Sequence, residues 1–342
     1  MKDHKESKIK SYKRMLQLGA LCVVAFSWQT APSQQKAVTE GTVQVHMVIT
    51  DAALRIDKKL PPLQREDVKV KQGKTLLKVT QLIPAQGSNA ALQLMIMIDD
   101  TLDTAASGNN LNDLKAFISA QPASTDIGVA YMSNATTNVA QNFTADHALA
   151  VKAVRQPRGA SSAMDSPYLS LISLVKSWPQ QNVRREVLMV TDGIDRLRGE
   201  KPARSRLGPN FGPVYHSMPT ISVDATSASE ISQRYNVIVN SIYAVGIGRS
   251  ARSSFDLQLG LSGLTKIADE TGGDCFSLST SNPVSFTPYL ETLQKRLSNQ
   301  YFLVFQVVPG KKAGFQRVNV QTELPNSKIL VPNNAWVPAA TE

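Results

Sequence analysis

The chain has little cysteine: two in 342 residues, Cys22 and Cys275. Cys22 falls in an apolar stretch near the N-terminus that reads as a removable leader. Cys275 then stands alone in the mature chain, which excludes an intramolecular disulfide there, and it reads as a buried strand residue. Histidine is scarce as well. His46, His147 and His216 are scattered and His4 lies in the leader, so none pairs with a Ser or Cys at a nucleophile turn. Aromatic residues make up 6% and charged residues 19%, against 42% hydrophobic, which excludes a disordered tail or a fibrous protein. There is no internal repeat, and Gly246-Ile-Gly248 lacks the third glycine of a dinucleotide loop. No basic–aromatic alternation accompanies the formal charge of +10, so nucleic acid is not indicated.

What is present begins with Lys2, Lys5, Lys8, Lys10, Lys13 and Arg14 against Asp3 and Glu6, followed by an apolar run from Met15 to Trp28. A basic start before such a run reads as a signal peptide over residues 1–28, and its removal lowers the net charge from +10 to about +6. The run is short of the about 20 residues a spanning helix needs, so no transmembrane span is expected in the mature chain. The expected location is outside the cytoplasm, either periplasmic or extracellular.

Residues 29–41 read as a polar linker. Thr42 to Thr50 alternates as a half-buried strand should. Asp67-Val-Lys-Val-Lys71, a turn at Gly73 and Leu76 to Ile83 read as a hairpin, closing an N-terminal β segment over 42–86. The pattern changes at Leu92-Gln-Leu-Met-Ile-Met-Ile98, a near-continuous apolar run of the kind that marks a strand covered on both faces. Similar runs recur at Ile127–Met132, Val187–Thr191, Val237–Val245 and Cys275–Leu278. Helical stripes lie between them: Leu111, Leu114, Phe117 and Ile118; Leu169, Leu171, Ile172, Leu174 and Val175; Leu261, Leu264 and Ile267, stopped by Gly272-Gly273. This alternation predicts an α/β domain over 87–298 with a parallel sheet, and ligands at the carboxyl ends of its strands. Short β runs return in 299–342 and are expected to pack with 42–86. Leu197 to Thr220, rich in Pro, Gly and Arg, reads as a long loop.

Three oxygen-bearing loops fall at strand exits or helix entries: Asp99-Asp-Thr-Leu-Asp103, Gly159-Ala-Ser-Ser-Ala-Met-Asp165 and Thr191-Asp192-Gly193. Carboxylates and hydroxyls are the hard donors that Mg²⁺ prefers. The plain alternative is that Asp99 and Asp192 hydrogen-bond their own loops and that Asp165 caps a helix.

Asp99-x-Thr101-x-Asp103 resembles the Asp-x-Ser-x-Ser signature of von Willebrand factor A (vWA) domains, and Val187-Leu-Met-Val-Thr-Asp-Gly193 resembles their strand ending in Thr-Asp-Gly. The likeness spans roughly Leu92 to Leu278. Leu63-Gln-Arg-Glu-Asp-Val-Lys-Val, Phe143-Thr-Ala-Asp-His147, Arg185 to Arg196 and Thr271-Gly-Gly extend it toward the vWA-related family described from acidobacteria. The resemblance implies a vWA-like Rossmann sheet, mainly parallel with helices on both faces, beside a small β module from the two terminal segments. It also implies an adhesion-type site for Mg²⁺ or Mn²⁺ (MIDAS-like). Thr101 would ligate directly, Asp99 and Asp192 through water, and Ser161 would complete the set, with the choice between Ser161 and Ser162 open. Asp103 stands where the family has a second serine. A third carboxylate would either hold and neutralise the ion or turn to solvent and leave the site vacant.

The expected function is binding of a protein ligand, with no catalytic residue to assign. Arg196, Arg198, Arg204, Arg206 and Arg249 follow the same strand ends and would form a basic rim favouring an acidic partner. Two rivals stand beside this: a metal-free scaffold on the same fold, and a metal-dependent hydrolase using Asp99, Asp103 and Asp192.

Overall fold

The computed structural model describes residues 42–52, 62–179, 181, 183–197, 222–246, 254–324 and 328–339, apart from the side chains of 105–107. The leader, the linker and the Arg-rich stretch from 198 to 221 lie outside the described residues. In chain order, β1 (Val43–Asp51), β2 (Val68–Gln72), β3 (Thr75–Leu77) and β4 (Val79–Pro84) come first. The α/β region follows, with β5 (Leu92–Asp99), α1 (Thr104–Ser119), β6 (Thr125–Ser133), β7 (Thr136–Thr144), α2 (His147–Ala153), α3 (Pro167–Ser177) and β8 (Arg184–Thr191). It continues through α4 (Val223–Arg234), β9 (Val237–Tyr243), α5 (Ser254–Thr271), β10 (Cys275–Phe276) and α6 (Thr287–Ser298). The chain closes with β11 (Gln300–Val307), β12 (Gly314–Arg317), β13 (Asn319–Thr322), β14 (Ile329–Leu330) and β15 (Asn334–Val337).

The main sheet runs in the order β10-β9-β8-β5-β6-β7, parallel except for the β6–β7 pair. Every residue of β5 and β8 is buried, as the apolar runs predict. Alternation sorts them between two cores. Leu94, Ile96 and Ile98 face Leu111, Leu114 and Phe117 of α1 and Leu290, Leu293 and Leu297 of α6. Met95 and Met97 face the other way, toward Tyr168 and Leu171 of α3, Ala225 and Ala228 of α4, and Leu264 and Ile267 of α5. Helices thus cover both faces. Gly272 takes the left-handed conformation at the end of α5, φ +81°, as its position past the last helical stripe predicts.

The terminal segments meet as expected. β11 is central, pairing antiparallel with β1 on one side and β4 on the other. The hairpin expectation needs one correction: its second strand breaks at Lys78. β3 pairs with β2, whereas β4 leaves to join β11 in a different sheet. That break lets Leu77 and Val79 close one shared core with Val45, Met47, Ile49, Leu303, Phe305 and Val320.

Candidate functional site at the carboxyl edge of the sheet

β5 and β8 lie side by side, so their ends deliver Asp99 and Thr191-Asp192 to one place. Thr191 Oγ1 donates to Asp99 Oδ2 at 2.6 Å, and the Thr101 amide donates to Asp99 Oδ1 at 2.9 Å. The amide of Ile194 donates to Asp192 Oδ1 at 3.0 Å. Asp99, Thr101 and Asp192 are all buried. Burial, and then the nearby Asp192 carboxylate, push the Asp99 pKa up to about 6.

The counter-charge comes from the chain itself. Arg196 turns inward, and its guanidinium donates to Asp192 Oδ2 at 3.0 Å with only 11% of the side chain exposed. Arg196 therefore is not on the outer rim where its sequence position puts it, because a fully buried carboxylate such as Asp192 demands a paired charge. Its own amide is pinned to the Asp165 carbonyl at 2.8 Å. Arg198, Arg204, Arg206 and Arg249 lie outside the described residues.

Two backbone contacts close over the site. Leu102 bridges to Gly246, and the Asp103 amide donates to the Val245 carbonyl, so the Asp99–Asp103 loop is laid against the end of β9. A Cβ on Gly246 would fall 2.2 Å from Asp192 Oδ2 and 3.2 Å from the Arg196 guanidinium, so backbone closes over the pair. Ser161 is exposed and Asp103 half-buried. The Ser162 hydroxyl accepts the Met164 amide at 3.0 Å.

The structure thus gathers Asp99, Thr101 and Asp192 but leaves Ser161 on the surface. Among the described residues no three His, Cys, Asp or Glu side chains are grouped to hold a metal ion. The Thr101 hydroxyl is buried without a hydrogen-bond partner among them, which is the one feature an extra cation could use. An adhesion-type ion needs open octahedral space with several waters. Here Arg196 and the Gly246 backbone lie against Asp192 Oδ2. The residues present do not fit the open Mg²⁺ or Mn²⁺ site that the resemblance implies.

Asp165 is no helix cap; Ser166 caps α3, accepting the Leu169 amide. The buried Asp165 carboxylate instead receives the amides of Asn134 at 2.7 Å and Ser162 at 2.5 Å. The residue that the sequence reading passed over is Asp100. It is buried and takes a two-pronged ion pair from Arg155 at 2.7 and 2.8 Å, plus the Arg158 amide at 3.1 Å. Arg155 also lies over the Tyr131 ring, 3.6 Å from its centroid. Asp100 thereby clamps the segment that leads to Ser161. The doubled aspartate was its only signal.

Exposed apolar side chains mark the same edge: Met164 before α3, Val223 at the start of α4, Phe255 at the start of α5, and Leu278 and Val284 between β10 and α6. They are half of the ten large hydrophobic residues exposed among those described; the other five are scattered over β3, β7, α2, β12 and the segment after β11. Arg158, also exposed, lies on this edge.

No protein-family model matches the chain, and no curated protein matches it. Solved structures similar to it include an aerotolerance-related membrane protein from Bacteroides fragilis carrying multiple mutations to serine, at 14% identity and TM-score 0.39, covering 60% of this chain and 98% of that one. A von Willebrand factor type A protein from Catenulispora acidiphila matches at 12% identity and TM-score 0.41, covering 90% and 76%. BatB from Bacteroides thetaiotaomicron, described as a conserved hypothetical protein, matches at 13% and 0.41, covering 60% and 98%. The six-stranded, mainly parallel sheet with helices on both faces is the α/β architecture that the apolar runs predict. Within the α/β domain, the edge just described is where β5, β8, β9 and β10 all end. No helix among the described residues is long and apolar enough to cross a membrane.

Proposed function

We propose that the chain is an exported protein-binding module whose partner docks on the carboxyl edge of the vWA-like sheet. The observation that carries this is the gathering of Met164, Val223, Phe255, Leu278 and Val284 in the open around that edge. Apolar surface concentrated on one side of a folded domain marks an interaction site, whereas single scattered residues do not. Exposed Arg158, and the arginines that the sequence places after β8 and β9, suit a partner with acidic residues beside its apolar ones. The basic start and the apolar run to Trp28 support export, to the periplasm or beyond the cell. Binding is favoured over catalysis because Asp99 and Asp192 are closed in by their own loops and an arginine, out of a substrate's reach.

Capture from envelope extracts tests the reading. The paired change Leu278→Asp and Val284→Asp should abolish retention of the partner, while Val139→Asp with Leu149→Asp, on β7 and α2, should not. Equal retention by both variants would remove the docking edge.

A further inference from the structure

We infer that Arg196 is a built-in cation, supplying to the buried carboxylates at the ends of β5 and β8 the positive charge that a bound divalent metal would bring. Four observations on different elements converge on this. Two carboxylates, Asp99 and Asp192, are both buried at neighbouring strand ends, and such a pair needs positive charge to be tolerated in a low-dielectric interior. The guanidinium supplies it at 3.0 Å from Asp192 Oδ2, and is itself nearly buried. Gly246 presses its backbone against that same pair, at a distance no side chain could share, so the ion pair is enclosed rather than solvent-bridged. The Arg196 amide is fixed to the Asp165 carbonyl, and the Asp165 carboxylate holds the turn after β6 and the Ser162 amide. Arg196 is thus locked between two loops of the edge, as a metal would lock them.

The consequence concerns this same edge and deepens the docking reading: the loops are preorganised without added ions, and partner binding is indifferent to chelation. Taking the guanidinium away should expose what it covers. Asp99, Asp192 and the partnerless Thr101 hydroxyl would then form an acidic, oxygen-lined hole suited to a hard cation.

The test needs no partner, so its failure is separable from failure of the docking reading. The full-length chain and the variants Arg196→Met, Arg196→Lys and Arg196→Met/Asp192→Asn are titrated with MnCl₂ and MgCl₂ by calorimetry and by thermal melting. The unaltered chain should give no binding heat and a Tm independent of either ion. Arg196→Met should gain Mn²⁺ binding and a Tm that climbs with Mn²⁺ concentration, and the double variant should lose both. Arg196→Lys, which keeps the charge, should stay indifferent to metal. Mn²⁺ or Mg²⁺ binding by the unaltered chain that Asp192→Asn abolishes would overturn the assignment. So would a folded Arg196→Met that binds no ion. If Arg196→Met does not fold, the unaltered chain and Arg196→Lys still decide: metal binding by either counts against the built-in cation.

Discussion

Three glycines let the Asp192 loop sit as deep as it does. Gly193 has φ +70°, and a Cβ there would strike the Gly260 carbonyl at 2.4 Å. The reverse contact is as close, because a Cβ on Gly260 would meet the Asp192 carbonyl at 2.4 Å. One turn along α5, Gly263 faces the Tyr168 hydroxyl, which donates to the Gly193 carbonyl at 2.6 Å. In an ordinary helix, Gly→Ala gains about 1 kcal/mol from propensity. At Gly260 the obstacle is backbone that cannot swing aside, so overpacking of about 1–3 kcal/mol outweighs that gain. Gly260→Ala should therefore lower the denaturant midpoint, whereas Gly310→Ala, with only ordinary contacts nearby, should leave it almost unchanged. Equal midpoints for the two variants would show that the loop has room to retreat.

At the scale of elements, α4 shows how a helix can be essential and nearly silent in sequence. Its inward face is Ala225, Ala228, Ser229 and Ser232, so no stripe of large apolar residues marks it, yet it packs between α3 and α5. Ala228 is completely buried. Ala228→Leu should cost about 1–3 kcal/mol by overpacking, read as a lowered Tm, and a neutral result would mean that α4 floats on its neighbours. Strand β7 is silent in the sequence for a related reason. It is a mostly exposed edge, and its turn uses Asn134 and Ala135 at φ 50° and 55° with no glycine to announce it. By contrast β5, β8 and β9 were legible because burial on both faces forces a near-continuous apolar run. The site was legible to the same depth. Asp99, Thr101 and Asp192 follow directly from where those strands stop. The inward turn of Arg196 and the exposure of Ser161 depend on which way loop side chains point, and residue spacing does not carry that.

At the scale of the molecule, one junction between the α/β core and the β core lies where α6 runs into β11, at the side chain of Gln300. This buried amide donates to Glu186 Oε1 at 2.5 Å and to Thr50 Oγ1 at 3.0 Å, and accepts from Arg184 at 2.6 Å. Arg184 also holds the Leu297 and Ala90 carbonyls, and Asn240 donates to the other Glu186 oxygen. Burial pushes the Glu186 carboxyl above its usual 4.5, against the pull of Gln300, Arg184 and Asn240. Just above pH 4.5 the folded chain therefore holds a proton that the unfolded chain has released, so stability falls as pH rises through the folded-state value and is fully present below 4.5. Glu186→Gln should flatten that part of a melting-temperature-against-pH profile; an unchanged slope would assign it to another group. Gln300→Ala is the sharper probe, because it strips a hydrogen-bond partner from two buried ions at once, and each group left short of a bond should cost about 1–3 kcal/mol. With the bridge gone, calorimetry should resolve the single transition into two, the β core melting apart from the α/β core. A lowered but still single transition would mean that the second junction, where Thr271 bridges to Pro332, the Asn333 amide donates to the Glu270 carbonyl and Arg234 lies over the Trp336 ring, couples the cores without the polar bridge.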